Sequence, residues 1–101
     1  LVDNYHMKNT SYLLWDYNLS NQEFFDILEG KLEKGRLGQD WAMIRLFEYG
    51  RYEDIIRILG YQRIIDHWPR VRDRVRSRER KRGFDFLVEW LPENHPELLA
   101  G

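Results

Sequence analysis

Eight basic side chains crowd one short stretch of the chain: Arg70, Arg72, Arg74, Arg76, Arg78, Arg80, Lys81 and Arg82, with Asp73 and Glu79 as the acidic residues among them. Guanidinium groups at this density suit three kinds of chemistry. They can contact nucleic-acid phosphates, each contact releasing counterions and making affinity salt-dependent. They can form bidentate pairs with carboxylates on an acidic protein surface. They can also turn inward, because outside residues 70–82 fifteen acidic residues face eight basic ones although the whole chain carries a formal charge of −1. The three readings stay open at this level. Arginine recurs at every second position, which on a strand would gather one charged face. The opposite face would then be Val71, Asp73, Val75, Ser77, Glu79 and Lys81, a poor core. A helix is preferred over 70–82, with the arginines scattered around its axis at about 200° per two residues and Val71 and Val75 as the apolar foothold. Such a helix should project from the body and become buried after Gly83.

Other chemistries find less support. There is no Cys, which excludes thiolate metal sites, disulfides and a Cys nucleophile. His6 lies near the chain start. Asp66 and His67 are neighbours, so on a helix they point about 100° apart and form no dyad. Glu93, His95 and Glu97 could chelate weakly, but beside Pro92 and Pro96 they read as a solvated loop. No zinc-protease, phosphate-loop or nucleophile-elbow motif occurs. No catalytic residue, metal or cofactor is therefore expected. Four Trp residues, at 15, 41, 68 and 90, fall in separate segments and read as anchors of a common core. Trp68 and Phe84 flank the basic block and are the aromatics that could stack on bases if exposed. Asp16 could cap a helix or pair with an arginine.

The elements that must position these residues follow from helical periodicity. Residues 1–11 read as a loose tail, and His6-Met7 resembles a cloning junction, which would make Met7 the natural start. The domain proper is 12–101. Leu13, Leu14, Trp15, Tyr17 and Leu19 form an aromatic-rich opening that packs over a helical core. Ser20 and Glu23 make a capping box for a helix over about 21–34, stopped at Gly35. Asp40 is the expected N-cap of a second helix, with Trp41, Met43, Ile44 and Phe47 inward and Gly50 at its end. Two short helices follow, Tyr52 to Leu59 and Tyr61 to Trp68, separated by Gly60 and sharing Tyr-x-x-Ile-Ile. After the basic helix, Phe84, Leu87, Val88 and Leu91 make a stripe that Phe86 and Trp90 widen, and Pro92 ends it. Leu98 and Leu99 can cap the bundle.

The stretch from YLLWDYNLS to RLFEYGRYEDIIRILGYQRIID resembles an uncharacterised family of small bacterial helical proteins. Its pattern is matched at Leu14, Trp15, Asp16, Tyr49, Gly50, Glu53, Asp54, Ile55, Leu59, Ile64 and Ile65, over roughly residues 13–68. Members often stand beside nucleotidyltransferase-type toxins of abortive infection, so the resemblance implies an antitoxin-like or regulatory role and brings no catalytic residue. Beyond Pro69 the arginine block replaces a shorter turn.

A chain of 101 residues suits one domain. The expectation is an all-α protein, a small bundle of four to five short helices. Its expected function is a non-enzymatic, cytoplasmic binding or regulatory protein acting by protein–protein contact, antitoxin-like toward a nucleotidyltransferase toxin. The alternative is a nucleic-acid-binding regulator using segment 70–82. No apolar run approaches the length of a membrane helix, and a homo-oligomer is compatible with an aromatic-rich domain bearing a basic arm.

Overall fold

Ser20 opens the first helix as expected. Its hydroxyl accepts from Glu23 N at 3.1 Å, and its own amide donates to Glu23 Oε1 at 2.9 Å, which satisfies two amides at the helix start. The computed structural model describes residues 10–99. In it α1 is Asn21–Leu28, α2 Gln39–Tyr49, α3 Tyr52–Val71 and α4 Arg78–Asn94. Short 3-10 turns occupy Ser11–Leu14, Arg72–Arg74 and Pro96–Leu98. The protein is thus all-α; among the described residues an isolated bridge between Lys34 and Leu37 is the extended pairing present.

Several boundaries differ from expectation. Helix α1 stops at Leu28 rather than near 34, because Gly30 takes a left-handed conformation (φ +78). The amides of Gly30 and Lys31 return to the carbonyls of Ile27 and Asp26 at 3.0 and 2.8 Å, closing the helix. Gln39 Nε2 donates to the Leu28 carbonyl at 2.9 Å, a further partner for the helix end. Gly38, not Asp40, is the N-cap of α2. Asp40 lies in the first turn, where its charge complements the helix dipole. Gly60 interrupts α3 with φ +77 and ψ 159, so two helical pieces meet there as anticipated. The second piece runs through Pro69 to Val71, and α4 runs through Pro92 to Asn94.

Residues 70–82 are not one projecting helix. They comprise the last residues of α3, the 3-10 turn Arg72–Arg74, an extended link over 75–77 and the first turns of α4. The foothold at Val71 and Val75 explains this. Both side chains are essentially inaccessible, and burying two valines requires the segment to fold back over the body.

The core under this segment is aromatic. Phe47, Trp68 and Phe84 pack edge-on or tilted with centroids 4.9–5.1 Å apart, within the preferred range for such pairs. Trp68 and Phe84 are therefore buried, which overturns them as base-stacking aromatics. Trp15 is 79% exposed rather than packed inward, and Phe86 is exposed instead of widening the buried stripe of α4.

Of the loose tail expected over residues 1–11, residues 1–9, the suggested cloning junction included, lie outside the described residues. Thr10 and Ser11 belong to the fold. Thr10 is buried and its hydroxyl donates to Asn21 Oδ1 at 3.2 Å. One residue further on, the Tyr12 hydroxyl donates to the buried Asp54 at 2.7 Å and accepts from Arg51 N at 2.9 Å, fastening this segment to the start of α3. Burial, then the Asp54 bond, push the Tyr12 hydroxyl pKa up.

Candidate interaction site at the arginine-rich segment

The structure sorts the eight cations by what they touch. Arg72 forks onto Asp85, Nε to Oδ1 at 2.8 Å and Nη2 to Oδ2 at 2.7 Å. Trp68 Nε1 donates to the same Oδ1 at 2.8 Å. These bonds, Arg72 first and Trp68 second, hold the Asp85 carboxyl down at about 2 and push the Arg72 guanidinium up. Arg80 reaches across to the C-terminal end of α2, where Nη1 donates to the carbonyls of Phe47 and Gly50 and the guanidinium lies 4.7 Å from the Tyr52 ring. A cation at that end also complements the helix dipole. Arg70 Nη2 donates to Asp40 Oδ1 at 2.7 Å, and Arg74 approaches the other Asp40 oxygen at 3.9 Å. The inward-turning reading thus accounts for Arg70, Arg72 and Arg80, and loosely for Arg74.

Arg76, Arg78, Lys81 and Arg82 make no side-chain ion pair among the described residues. They are not gathered on one surface. Arg78 and Arg82 stand on the solvent face of α4, whereas Arg76 leaves the extended link toward α2. Glu48 holds that link in place by accepting from the amides of both Arg76 and Ser77.

Arg74 and Arg76 overlook a shallow groove along α2. One part, ≈ 300 Å³, is lined by Trp41, Ile44, Glu48 and Tyr49 together with Arg74 and Arg76. It meets a second open hollow at Trp41 and Arg74, lined also by Glu33, Arg36 and Asp40. Arg45 lines the same groove and stiffens its floor. It is 9% exposed, donates to the Leu13 carbonyl at 2.8 Å and pairs with Asp16. Its guanidinium lies 5.1 Å from the Tyr17 ring and 4.6 Å from that of Tyr49, a cation–π arrangement that orients both rings. Trp41 is in turn fixed edge-on by Tyr17 at 5.0 Å. The groove therefore offers two guanidinium groups above an ordered aromatic and aliphatic floor. That combination can hold a carboxylate beside an apolar side chain. Glu33, Asp40 and Glu48 on the same walls disfavour a continuous polyanion.

The remaining polar candidates are engaged locally. His67 is half-buried, and burial, then Arg70 and Arg63, depress its pKa. Asp66 accepts from Gln62 instead of pairing with it. His95 Nδ1 lies 2.9 Å from Glu97 Oε2, and among the described residues no group of three His, Asp or Glu side chains is placed to hold a metal. No described helix is long and apolar enough to cross a membrane.

Sequence reasoning located the cations but not their counterparts. Asp85 lies thirteen positions from Arg72, and Asp40 thirty from Arg70, distances at which no periodicity operates. Trp41 was visible as a core residue but not as a groove floor, Tyr49 stood out only in the pattern of the resemblance, Glu48 only as part of the acidic excess of the body, and Arg36 carried no signal. No family model matches the chain, and no curated protein or solved structure matches it.

Proposed function

We propose that this chain is a binding protein that acts by protein–protein contact, and that an acidic stretch of its partner lies in the groove over Trp41 and Ile44, beneath Arg74 and Arg76. The observation that carries this reading is the pair of guanidinium groups above that floor. The Arg76 guanidinium has no carboxylate partner among the described residues, although Glu48 accepts from the Arg76 amide, and the Arg74 guanidinium has one at 3.9 Å. A nucleic-acid backbone fits less well. Its regularly spaced phosphates would pass over Glu33, Asp40 and Glu48, whereas a peptide can place one carboxylate under the arginines and an apolar neighbour on the rings. The resemblance over residues 13–68 supports a narrower form, an antitoxin-like partner of a nucleotidyltransferase toxin.

Fluorescence anisotropy with three labelled probes tests the reading: an acidic peptide containing Leu and Phe, a random-sequence DNA duplex, and a single strand. Titrations at about 50 and about 200 mM salt span the range in which phosphate contacts declare themselves. The peptide is expected to bind, with affinity falling at least tenfold in the Arg74→Ala/Arg76→Ala variant. Salt-steep duplex or single-strand binding, lost when Arg76, Arg78, Lys81 and Arg82 become Ala, would replace this reading with the nucleic-acid one. Absence of peptide binding at the lower salt would also overturn it.

A further inference from the structure

Among the described residues, one face of α4 is covered by no other helix, and His95 touches it only at the Trp90 ring. Arg78, Arg82, Phe86, Glu89, Trp90 and Glu93 are all exposed. At about 100° per residue they fall on one side of the helix, opposite the buried Phe84 and Leu91. Phe86 is 61% exposed and stacks on Trp90 with centroids 5.9 Å apart and planes inclined by 22°. Glu89 and Glu93 share a shallow hollow with these rings. Two neighbouring aromatic rings held in water on a regular helix mark an interaction surface.

The charges along this face are sorted. Arg78 and Arg82 precede Phe86, with the exposed Glu79 between them on the same face, and Glu89 and Glu93 follow it. At about 1.5 Å per residue, the arginines lie about 12 and about 6 Å from Phe86 along the axis, and the glutamates about 4.5 and about 10.5 Å on the other side. Turned end for end, the face presents opposite charge at nearly the same heights. We infer that α4 packs antiparallel against α4 of a second copy, about a two-fold axis near Phe86. The Phe86 rings meet at the centre, and each Trp90 ring lies about 6 Å along the axis from it. Arg82 faces Glu89 of the second copy, and Arg78 faces its Glu93. Symmetry makes each contact occur twice. A parallel pairing would set arginine against arginine and glutamate against glutamate. A uniformly acidic partner would meet repulsion at Glu89 and Glu93, and a uniformly basic one at Arg78 and Arg82. The second copy sets the net-positive end, Arg78, Glu79 and Arg82, against the net-negative end, Glu89 and Glu93.

Sedimentation velocity of the full chain, from about 5 to about 500 μM, tests this, because a two-fold contact appears as concentration-dependent association. Wild type is expected to shift from monomer to dimer. Arg82→Glu and Glu89→Arg are each expected to remain monomeric, since each places like charges opposite one another twice. Their equimolar mixture is expected to recover the dimer, because an acidic face then meets a basic one. Both positions are exposed, and far-UV circular dichroism verifies that helix content is kept. A wild type that stays monomeric, a dimer that persists in Arg82→Glu, or a mixture no more associated than its components would overturn the proposal. Peptide binding in the α2 groove is independent. Arg74→Ala/Arg76→Ala is expected to dimerise like wild type, and Arg82→Glu to bind the acidic peptide like wild type.

Discussion

Asp85 shows how a single residue decides what an arginine-rich stretch does. Two donors from Arg72 and one from Trp68 converge on it, and its carboxyl titrates at about 2 against an ordinary 3.8. Between these values the unfolded chain binds more protons than the folded one, so stability rises with pH across that window. The contribution is complete above about pH 4 and is lost as pH falls through about 2. Asp85→Asn is expected to flatten this part of the acid limb while keeping an acceptor for Trp68. The loss at neutral pH should be about 1 kcal/mol or less, because the side chain is 41% exposed and water screens the pair. Urea midpoints at pH 2, 3, 4 and 7 check this, and an unchanged slope in the variant would refute it. The pair was illegible in the sequence, since Arg72 meets Asp85 through a chain reversal. The reversal was illegible too, because Val71 and Val75, the apolar positions of the block, lie at i and i+4 and suited one face of a continuous helix.

At the scale of elements, glycines decide where helices stop, and their conformations decide what may replace them. Gly60 has φ +77 and ψ 159, a region that side-chain-bearing residues scarcely enter. A Cβ there would meet no atom within 4 Å, so any penalty for substitution comes from the backbone. Gly60→Ala is expected to cost about 1–3 kcal/mol. Gly60→Asn should do no better, because asparagine tolerates the left-handed helical well near ψ of about +45° rather than this extended one. Chemical denaturation of the two variants separates this account from a crowding one, in which Asn would be worse than Ala; equality with wild type would dismiss both. That α3 breaks at Gly60 was legible from the repeated Tyr-x-x-Ile-Ile on either side. That α1 stops at Gly30 rather than Gly35 was not. Both glycines follow a charged residue, Glu29 and Lys34, and the choice is made by Gln39 from α2 reaching the Leu28 carbonyl, a contact between elements.

For the whole molecule, the chief question raised by the charge pattern is whether the basic block belongs to the body or stands away from it. Charge alone favoured a projecting arm, since a helix with arginines on every side cannot be buried. The fold resolves the conflict by breaking the helix. Valines and aromatic rings go under the segment, Arg70, Arg72 and Arg80 fasten it to carboxylates and carbonyls of other elements, and the rest of the charge faces water. The all-α class and most of the core stripe of α3 were legible because periodicity is local; in α2 Met43 and Phe47 were, whereas Ala42 and Leu46 are buried and Trp41 and Ile44 line the groove. The groove was not, because Trp41, Tyr49, Arg74 and Arg76 meet only after α4 has docked. Phe84 tests that integration. It touches Phe47, Tyr52 and Trp68, which belong to α2 and α3, so removing its ring should loosen three helices at once. Phe84→Ala is expected to cost about 3–5 kcal/mol, the range for a fully buried phenylalanine. Helix content by circular dichroism and tryptophan fluorescence should still melt together as one transition. A loosely attached α4 would behave otherwise: the substitution would cost little, and α4 would melt ahead of the remaining helices. Coincident transitions displaced by several kcal/mol mean that the arginine-rich segment is held in place by the core, and that its outward cations are presented to partners from a rigid surface.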